Sequence, residues 1–207
     1  MVAPVHPPYL LKKLYRKCIW RMDSAEKPVV YLTFDDGPIP ELTPWVLDEL
    51  DKHGIKATFF CVGNNIQKNP HIFQRIIEKD HAVGNHTYNH LKGFYTGTKN
   101  YIKNVSECQE LTLTKIFRPP YGQLKFSQLN QIARTHKIIM WDTLSHDYSS
   151  AVSPEKCYKN SVQNVRNGSI IVFHDNLKAQ MNLQYALPRC IETLKERGFG
   201  FGKIEFE

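Results

Sequence analysis

Val29-Val30-Tyr31-Leu32-Thr33-Phe34-Asp35-Asp36-Gly37-Pro38 sets the terms for the rest of the chain. The run from Val29 to Phe34 is β-branched and aromatic, which suits a buried strand, and Gly37-Pro38 marks where that strand must stop. Two carboxylates therefore sit at a strand's C-terminal end. Adjacent side chains of a strand point to opposite faces, so Asp35 and Asp36 can face a common ligand only where the backbone leaves the extended conformation. The Gly-Pro turn permits that departure. Two like charges held together are unfavourable unless a cation or a hydrogen-bond network compensates them, which points to a metal site. In isolation the pair is better read as a helix cap beside a solvated acid, so the metal reading rests on what the other strand ends carry.

Downstream, Thr43-Pro44 reads as N-cap and first residue of a helix that buries Val46, Leu47 and Leu50 and ends before Gly54. Ala57 to Val62 is a second apolar strand, and Asn69-Pro70 opens a helix with Phe73, Ile76 and Ile77 inward. A short strand at Ala82 to Gly84 runs into His86-Thr87-Tyr88-Asn89-His90. Lys99 to Lys115 is helical by the spacing of Ile102, Val105 and Leu111, and the strand Ile116-Phe117 precedes Arg118-Pro119-Pro120-Tyr121-Gly122. Ser127 caps a helix carrying Leu129, Ile132 and Ala133. Lys137 to Trp141 is a strand ending in Asp142, and Ser153-Pro154-Glu155 starts a helix with Tyr158, Val162 and Val165 facing in. Ser169 to Phe173 is a strand ending in His174-Asp175, a helix runs from Leu183 to Arg197, and Phe199 to Phe206 closes the chain as a strand.

About seven strands alternating with about six helices, with no internal repeat, predict a parallel α/β architecture. An open sheet and a barrel both fit that alternation. The polar clusters favour the barrel: Asp35-Asp36, His86 and His90, Arg118, Asp142 to Asp147, and His174-Asp175 each follow a strand end. In a (β/α) barrel all strand C-termini open on one face, whereas an open sheet gathers ligands near a single switch point.

A length of 207 residues with 42% apolar and 23% charged content fits one soluble domain with a sizeable core. The net charge of +7 comes from 27 Lys and Arg spread among 20 acids, which gives solubility and a weak steering field, not nucleic-acid binding. The five cysteines are widely spaced without a Cys-x-x-Cys pair and read as reduced, mostly buried residues. Pro7-Pro8 followed by Tyr9 to Arg21 suggests a short basic amphipathic helix, and packing on the end of the domain is preferred to a membrane-surface role. Lys12, Lys13, Arg16 and Lys17 interrupt its apolar residues, so no signal peptide or membrane span is expected. As written the chain is expected to be cytoplasmic, or outside the cytoplasm if a leader has been removed. Residues 1–28 are expected to form an N-terminal extension and residues 29–207 the main domain, with a monomer as the default.

His86 and His90 are four apart, so both imidazoles can meet one ion if the segment is helical or tightly turned. One carboxylate from the Asp pair completes a facial set of two histidines and one acid for Zn²⁺, with Co²⁺ or another first-row ion as alternatives. Alone, a His-x-x-x-His spacing is more often an ordinary surface pair. Beside an Asp-Asp pair at another strand end, the metal reading overtakes it.

Residues 33–37, 86–90, 118–122 and 172–174, in this order, resemble the motifs of the polysaccharide deacetylases, the fourth carbohydrate esterase family, which carry the NodB homology domain. The resemblance covers nearly the whole chain from Val29 to Phe206 and implies a distorted (β/α) barrel. It implies Asp35 as general base, Asp36, His86 and His90 as metal ligands, and Arg118 as the residue that orients the base. Tyr121 would lend its backbone N–H to an oxyanion site, and His174, in Val172-Phe173-His174, would be the general acid with Asp147 as its partner. Leu144 stands where the family has an acid, and Tyr148 where it has Trp, which affects the substrate groove more than the catalytic groups. The implied reaction is metal-dependent removal of acetyl groups from N-acetylated amino sugars, such as peptidoglycan or chitin-like oligomers. In it Arg118 keeps Asp35 ionised and Asp147 keeps His174 cationic. Removal of acetyl esters from xylan, deacylation of another glycoconjugate, and carbohydrate binding by an inactive relative are the alternatives.

Overall fold

The computed structural model describes residues 4–22 and 27–206. Its strands are β1 (Cys18–Ile19), β2 (Val29–Asp35), β3 (Thr58–Cys61), β4 (Ala82–Asn85), β5 (Ile116–Phe117), β6 (Lys137–Ile139), β7 (Thr143–Leu144), β8 (Ile170–His174) and β9 (Gly200–Phe201). The α-helices are α1 (Tyr9–Leu14), α2 (Thr43–His53), α3 (Gly63–Lys68), α4 (Pro70–Glu78), α5 (Thr98–Thr112), α6 (Phe126–Ile132), α7 (Pro154–Val162) and α8 (Gln180–Glu196). The strands pair in parallel in the order β1-β6-β5-β4-β3-β2-β8-β7, with β9 added to β2. The expected distorted barrel is therefore present, with more and shorter strands than the sequence suggests.

Period-two alternation along β2 divides the molecule into two interiors. Val30, Leu32 and Phe34 are fully buried against α2 and α8, in a core that includes Val46, Leu47, Leu50, Leu187 and Ile191. Each such side chain contributes about 1.5–3 kcal/mol by leaving water. Phe34 stacks on Phe59 and Phe173, with centroids 5.0 and 6.2 Å away, which locks β2 to its two neighbours. Thr33 and Asp35 belong to the other face, where the buried Thr33 hydroxyl and Asp35 carboxylate both accept from the buried Arg118. Phe60, Ile116, Ile139, Ile170 and Ile204 cluster separately from the helix-packed core.

The barrel's seam lies where β6 gives way to β7. Met140 N–H donates to Ile19 O at 2.8 Å, and Asp142 N–H donates to Ile170 O at 3.0 Å, so the chain crosses from one sheet edge to the other within a few residues. An antiparallel bridge between Arg21 and Ser169 and a bond from Leu144 N–H to Val5 O at 2.9 Å complete the closure. Residues 4–22 thus supply both a strand and a strap to the sheet, while residues 1–3 and 23–26 of the expected extension lie outside the described residues. Asp142 belongs to this seam and not to the mouth: it pairs with Lys12 at 3.0 Å and Arg166 at 3.1 Å and accepts from Ser169 Oγ at 2.8 Å.

Several local expectations are corrected. Thr43 is the first residue of α2 and not its N-cap, because its hydroxyl is committed to Asp175 Oδ2 at 2.5 Å. In α4 the inward residues are Ile72 and Ile76, one helical repeat apart, while Ile77 is exposed. The N-cap of α6 is Lys125, whose N–H is taken by Gln128 Oε1 at 3.0 Å, and Ser127 bonds instead to Thr98. The helix expected over Tyr9 to Arg21 stops at Leu14, since Cys18 and Ile19 join β6. After β9 the tail is irregular, and Ile204 packs with Ile116, Ile139 and Ile170 after donating its N–H to Thr58 Oγ1 at 2.8 Å. All five cysteines are free and buried. Among the described residues no helix is long and apolar enough to cross a membrane.

If the seam is held through Asp142, Asp142→Ala lowers unfolding free energy by about 1–3 kcal/mol, because buried donors lose their acceptor. A urea titration followed by tryptophan fluorescence reads this as a lower midpoint at unchanged slope.

Candidate active site

The turn after β2 leaves the extended conformation at the position the acid pair requires: Asp36 has φ 87°. Three bonds hold this unfavourable backbone. Asn65, in α3, donates Nδ2 to Asp36 O at 2.7 Å, Gly37 N–H donates to Asp175 Oδ1 at 2.9 Å, and Asp36 N–H reaches Phe60 O at 3.3 Å. A Cβ on Gly37 would stand 2.0 Å from Asp175 Oδ2, so only glycine fits against that carboxyl.

Asp36 Oδ1 is buried with no hydrogen bond and faces His90 Nε2 at 2.9 Å and His86 Nε2 at 3.5 Å. One ligand atom from each of the three residues lies within 4.8 Å of the others. His86 Nδ1 is 2.8 Å from Arg118 O. A carbonyl only accepts, so the ring proton is on Nδ1 and the Nε2 lone pair points at Asp36 Oδ1. A carboxylate oxygen and two imidazole nitrogens converging in this way form a candidate site for a divalent cation. Burial works to raise the Asp36 pKa, but the two imidazoles outweigh it and hold the carboxyl well below its usual range. Its second oxygen, Oδ2, accepts from Asn176 Nδ2 at 2.5 Å, which leaves Oδ1 facing the two histidines.

The histidine segment is a tight turn and not a helix, with Thr87 at φ 63° and His90 at φ 54°. Two buried asparagines shape it. Asn85 Oδ1 accepts from Thr87 N–H and Asn104 Oδ1 from Asn89 N–H, each at 2.9 Å. The Tyr121 ring lies 4.8 Å from that of His90, and Tyr121 itself has φ 59°.

Asp35 lies in register with His174 across the β2–β8 pairing, and each carries its own partner. Arg118, fully buried, donates NH1 to Asp35 Oδ1 and to Thr33 Oγ1, both at 2.7 Å, and NH2 to Met140 O at 2.9 Å. Its guanidinium lies 4.1 Å from the centre of the Phe60 ring. Asp147, fully buried, accepts from His174 Nδ1 at 2.8 Å and from His174 N–H at 2.6 Å, fixing ring and backbone together. Burial alone would lower the His174 pKa, but the Asp147 carboxylate reverses this and pushes it up to about 9, so the ring is cationic at neutral pH.

Asp35, Asp36, His86, His90, Tyr121 and His174 all line one cleft of about 990 Å³, with Arg118 and Asp147 directly behind Asp35 and His174. The eight expected site residues are therefore together. Sequence reasoning missed Asn176, Asp175 with Thr43, Thr33, and the asparagines Asn85 and Asn104. The only trace was the polar triplet His174-Asp175-Asn176 at a strand end, whose last two members reach back to the Asp36-Gly37 turn. Burial, with Asp36 nearby, pushes Asp175 up to about 8 against the opposing bonds from Thr43 and Gly37.

A parallel barrel whose mouth holds a cation site between a guanidinium-bound carboxylate and a carboxylate-bound histidine defines a hydrolase of the metal-assisted class. More particularly, the chain belongs to the polysaccharide deacetylase family, whose model matches residues 23–141. It is 34% identical to a peptidoglycan-N-acetylglucosamine deacetylase of Bacillus cereus, over 84% of this chain and 66% of that protein, so the relative extends beyond the matched region. Identity to a chitooligosaccharide deacetylase of Sinorhizobium fredii is also 34%, over 83% of this chain and 88% of that one. The crystal structure of the Bc1960 peptidoglycan N-acetylglucosamine deacetylase superposes with a TM-score of 0.83 at 32% identity, covering 96% of this chain and 95% of the other.

Asn176→Ala removes the donor that fixes Asp36 Oδ2 and touches no ligand atom. Zn²⁺ affinity, measured by chelator competition, is expected to fall about 10–100-fold with the circular dichroism spectrum unchanged.

Proposed function

We propose that this chain is a hydrolase that removes the acetyl group from N-acetylated amino sugars of a glycan, using a divalent cation held by Asp36, His86 and His90. The observation that carries this reading is the register pairing of Asp35 with His174, each fixed by a buried partner, beside the acceptor triad in one cleft. Relatives named for deacetylation of peptidoglycan and chitooligosaccharides support the same substrate class. When bound, the cation, Zn²⁺ by its set of one carboxylate and two imidazoles, supplies Lewis acidity toward water and the amide carbonyl.

This chain's own groups supply the proton chemistry. Asp35, aimed by Arg118, takes a proton from the water whose oxygen forms the new bond to the acetyl carbon. The Tyr121 N–H donates to the oxyanion that develops there. The C–N bond then breaks as His174 gives its proton to the departing nitrogen, leaving acetate and a free amine. Asp147 occupies Nδ1, so the proton is delivered from Nε2. An amine is a poor leaving group until protonated, and a histidine kept cationic by a buried carboxylate suits an amide better than an ester.

Acetate release from N-acetylglucosamine oligomers tests the reading: metal-stripped protein is inactive, and added Zn²⁺ or Co²⁺ restores release. Asp35→Asn is expected to retain metal and lose about 10²–10⁴-fold in turnover, whereas His86→Ala loses both metal and activity. An Asp35→Asn variant with parental activity rules out Asp35 as the base. The acid must be protonated to act, so activity declines as pH rises through the His174 pKa. Asp147→Asn removes the main cause of the upward shift and moves that alkaline decline to lower pH, read from a pH profile of kcat.

A further inference from the structure

The N-terminal helix α1 presents three of its four apolar side chains outward, Leu11 being the more covered one at 37% exposed. None of its six residues is buried, and Tyr9, Leu10 and Leu14 are 79%, 75% and 57% exposed. Its ties to the barrel are largely polar: Lys12 pairs with Asp142, the preceding strap bonds through Val5 O to Leu144 and through His6 Nδ1 to Asp142 O, and Tyr15, which also packs against the core beside Leu124, donates to Leu124 O at 2.8 Å. The expected arrangement, with leucines packed on the domain and bases in water, is reversed at Lys12. Leu10 and Leu14, one helical repeat apart, share a face.

Positive charge surrounds this apolar face. Lys13, Arg16 and Lys17 are exposed, and Lys17 also walls a depression of about 570 Å³ with Arg134, His136 and Lys137. No acidic residue occurs before Asp23. Phe126, half-exposed and stacked on Tyr15 at 5.3 Å, adds apolar surface beside the helix.

We propose that α1 and its basic surround form a docking surface for an anionic phospholipid bilayer, with Tyr9, Leu10 and Leu14 entering the headgroup–acyl boundary and the bases meeting lipid phosphate. Leucines and a tyrosine ringed by lysine and arginine match the two components of interfacial binding, burial of apolar area and attraction to anionic headgroups. A second copy is the less suited occupant, because a two-fold contact through this patch would bring Lys13, Arg16 and Lys17 toward their own counterparts.

Co-sedimentation of the full chain with phosphatidylcholine vesicles, and with vesicles containing phosphatidylglycerol, tests this. Binding is expected only to the second. The exposed-site double variant Leu10→Ser/Leu14→Ser is expected to lower the bound fraction about tenfold while keeping the parental melting temperature and acetate release. Failure to sediment with phosphatidylglycerol vesicles overturns the proposal. Undiminished binding by the double variant, which would mean charge attraction alone, also overturns it. So does a parental dimer in light scattering that the double variant converts to monomer, since a second copy would then cover the patch.

Discussion

The Arg118 guanidinium, buried without solvent contact inside the barrel, is the constraint around which the site is built. An ion of this size is stable there only if a counter-charge and acceptors meet its donors, because desolvation otherwise costs several kcal/mol. Asp35 supplies the charge, while Thr33 Oγ1, Ile139 O and Met140 O take the other N–H groups. These acceptors come from β2 and from the end of β6, so satisfying one cation fixes the register of distant parts of the barrel wall. Gly84 contributes indirectly: a Cβ there would stand 2.3 Å from the Phe60 ring, which is the surface the guanidinium stacks on. Aiming the base and stabilising the barrel interior are thus the same interaction.

Four of the eight non-glycine residues with positive φ among the described residues belong to the turns that form this cleft. Asp36, Thr87, His90 and Tyr121 all have positive φ without being glycine, and each lies in a turn that follows a strand. Such conformations cost on the order of 1–3 kcal/mol each for residues with a Cβ, and persist where the surroundings over-determine them. The surroundings here are identifiable. Asn65 holds the Asp36 carbonyl, Asn85 and Asn104 hold the histidine turn, and Asp175 holds Gly37. A carboxylate and two imidazoles from different strand ends converge because these amides and this carboxyl fix the turns between them.

The sequence made this convergence legible because strand ends are marked by abrupt changes of composition. Apolar runs stop at Asp35, His86, Arg118 and His174, and a parallel barrel gathers such ends on one face. It was silent on the residues that hold the turns, since an asparagine bonded to backbone has the same spacing as one in water. Asp142 was misread for a related reason: it follows a strand, but the chain there crosses the seam, so Asp142 meets Lys12 and Arg166 away from the mouth. Thr43 likewise carries the signature of a helix cap, and only its distance to Asp175 shows that the hydroxyl is used otherwise. The N-terminal helix has the amphipathic pattern of a packed element, yet Lys12 has a buried acid to reach, and Leu10 and Leu14 stay exposed.

Charge balance distinguishes the part of the cleft that calls for a ligand from the parts complete in themselves. Asp35 with Arg118 is a neutral pair, as is Asp147 with cationic His174, and each is hydrogen-bonded at 2.7 or 2.8 Å. Asp175 has both oxygens met, Oδ1 by the Gly37 N–H and Oδ2 by the Thr43 hydroxyl. Asp36 is different. Its carboxylate faces two imidazoles, of which His86 has committed its ring proton to a carbonyl, and Asn176 satisfies only Oδ2. The remaining oxygen is buried and anionic, between the Nε2 atoms of the two histidines. A divalent cation would complete this set while leaving the base and acid pairs intact on either side.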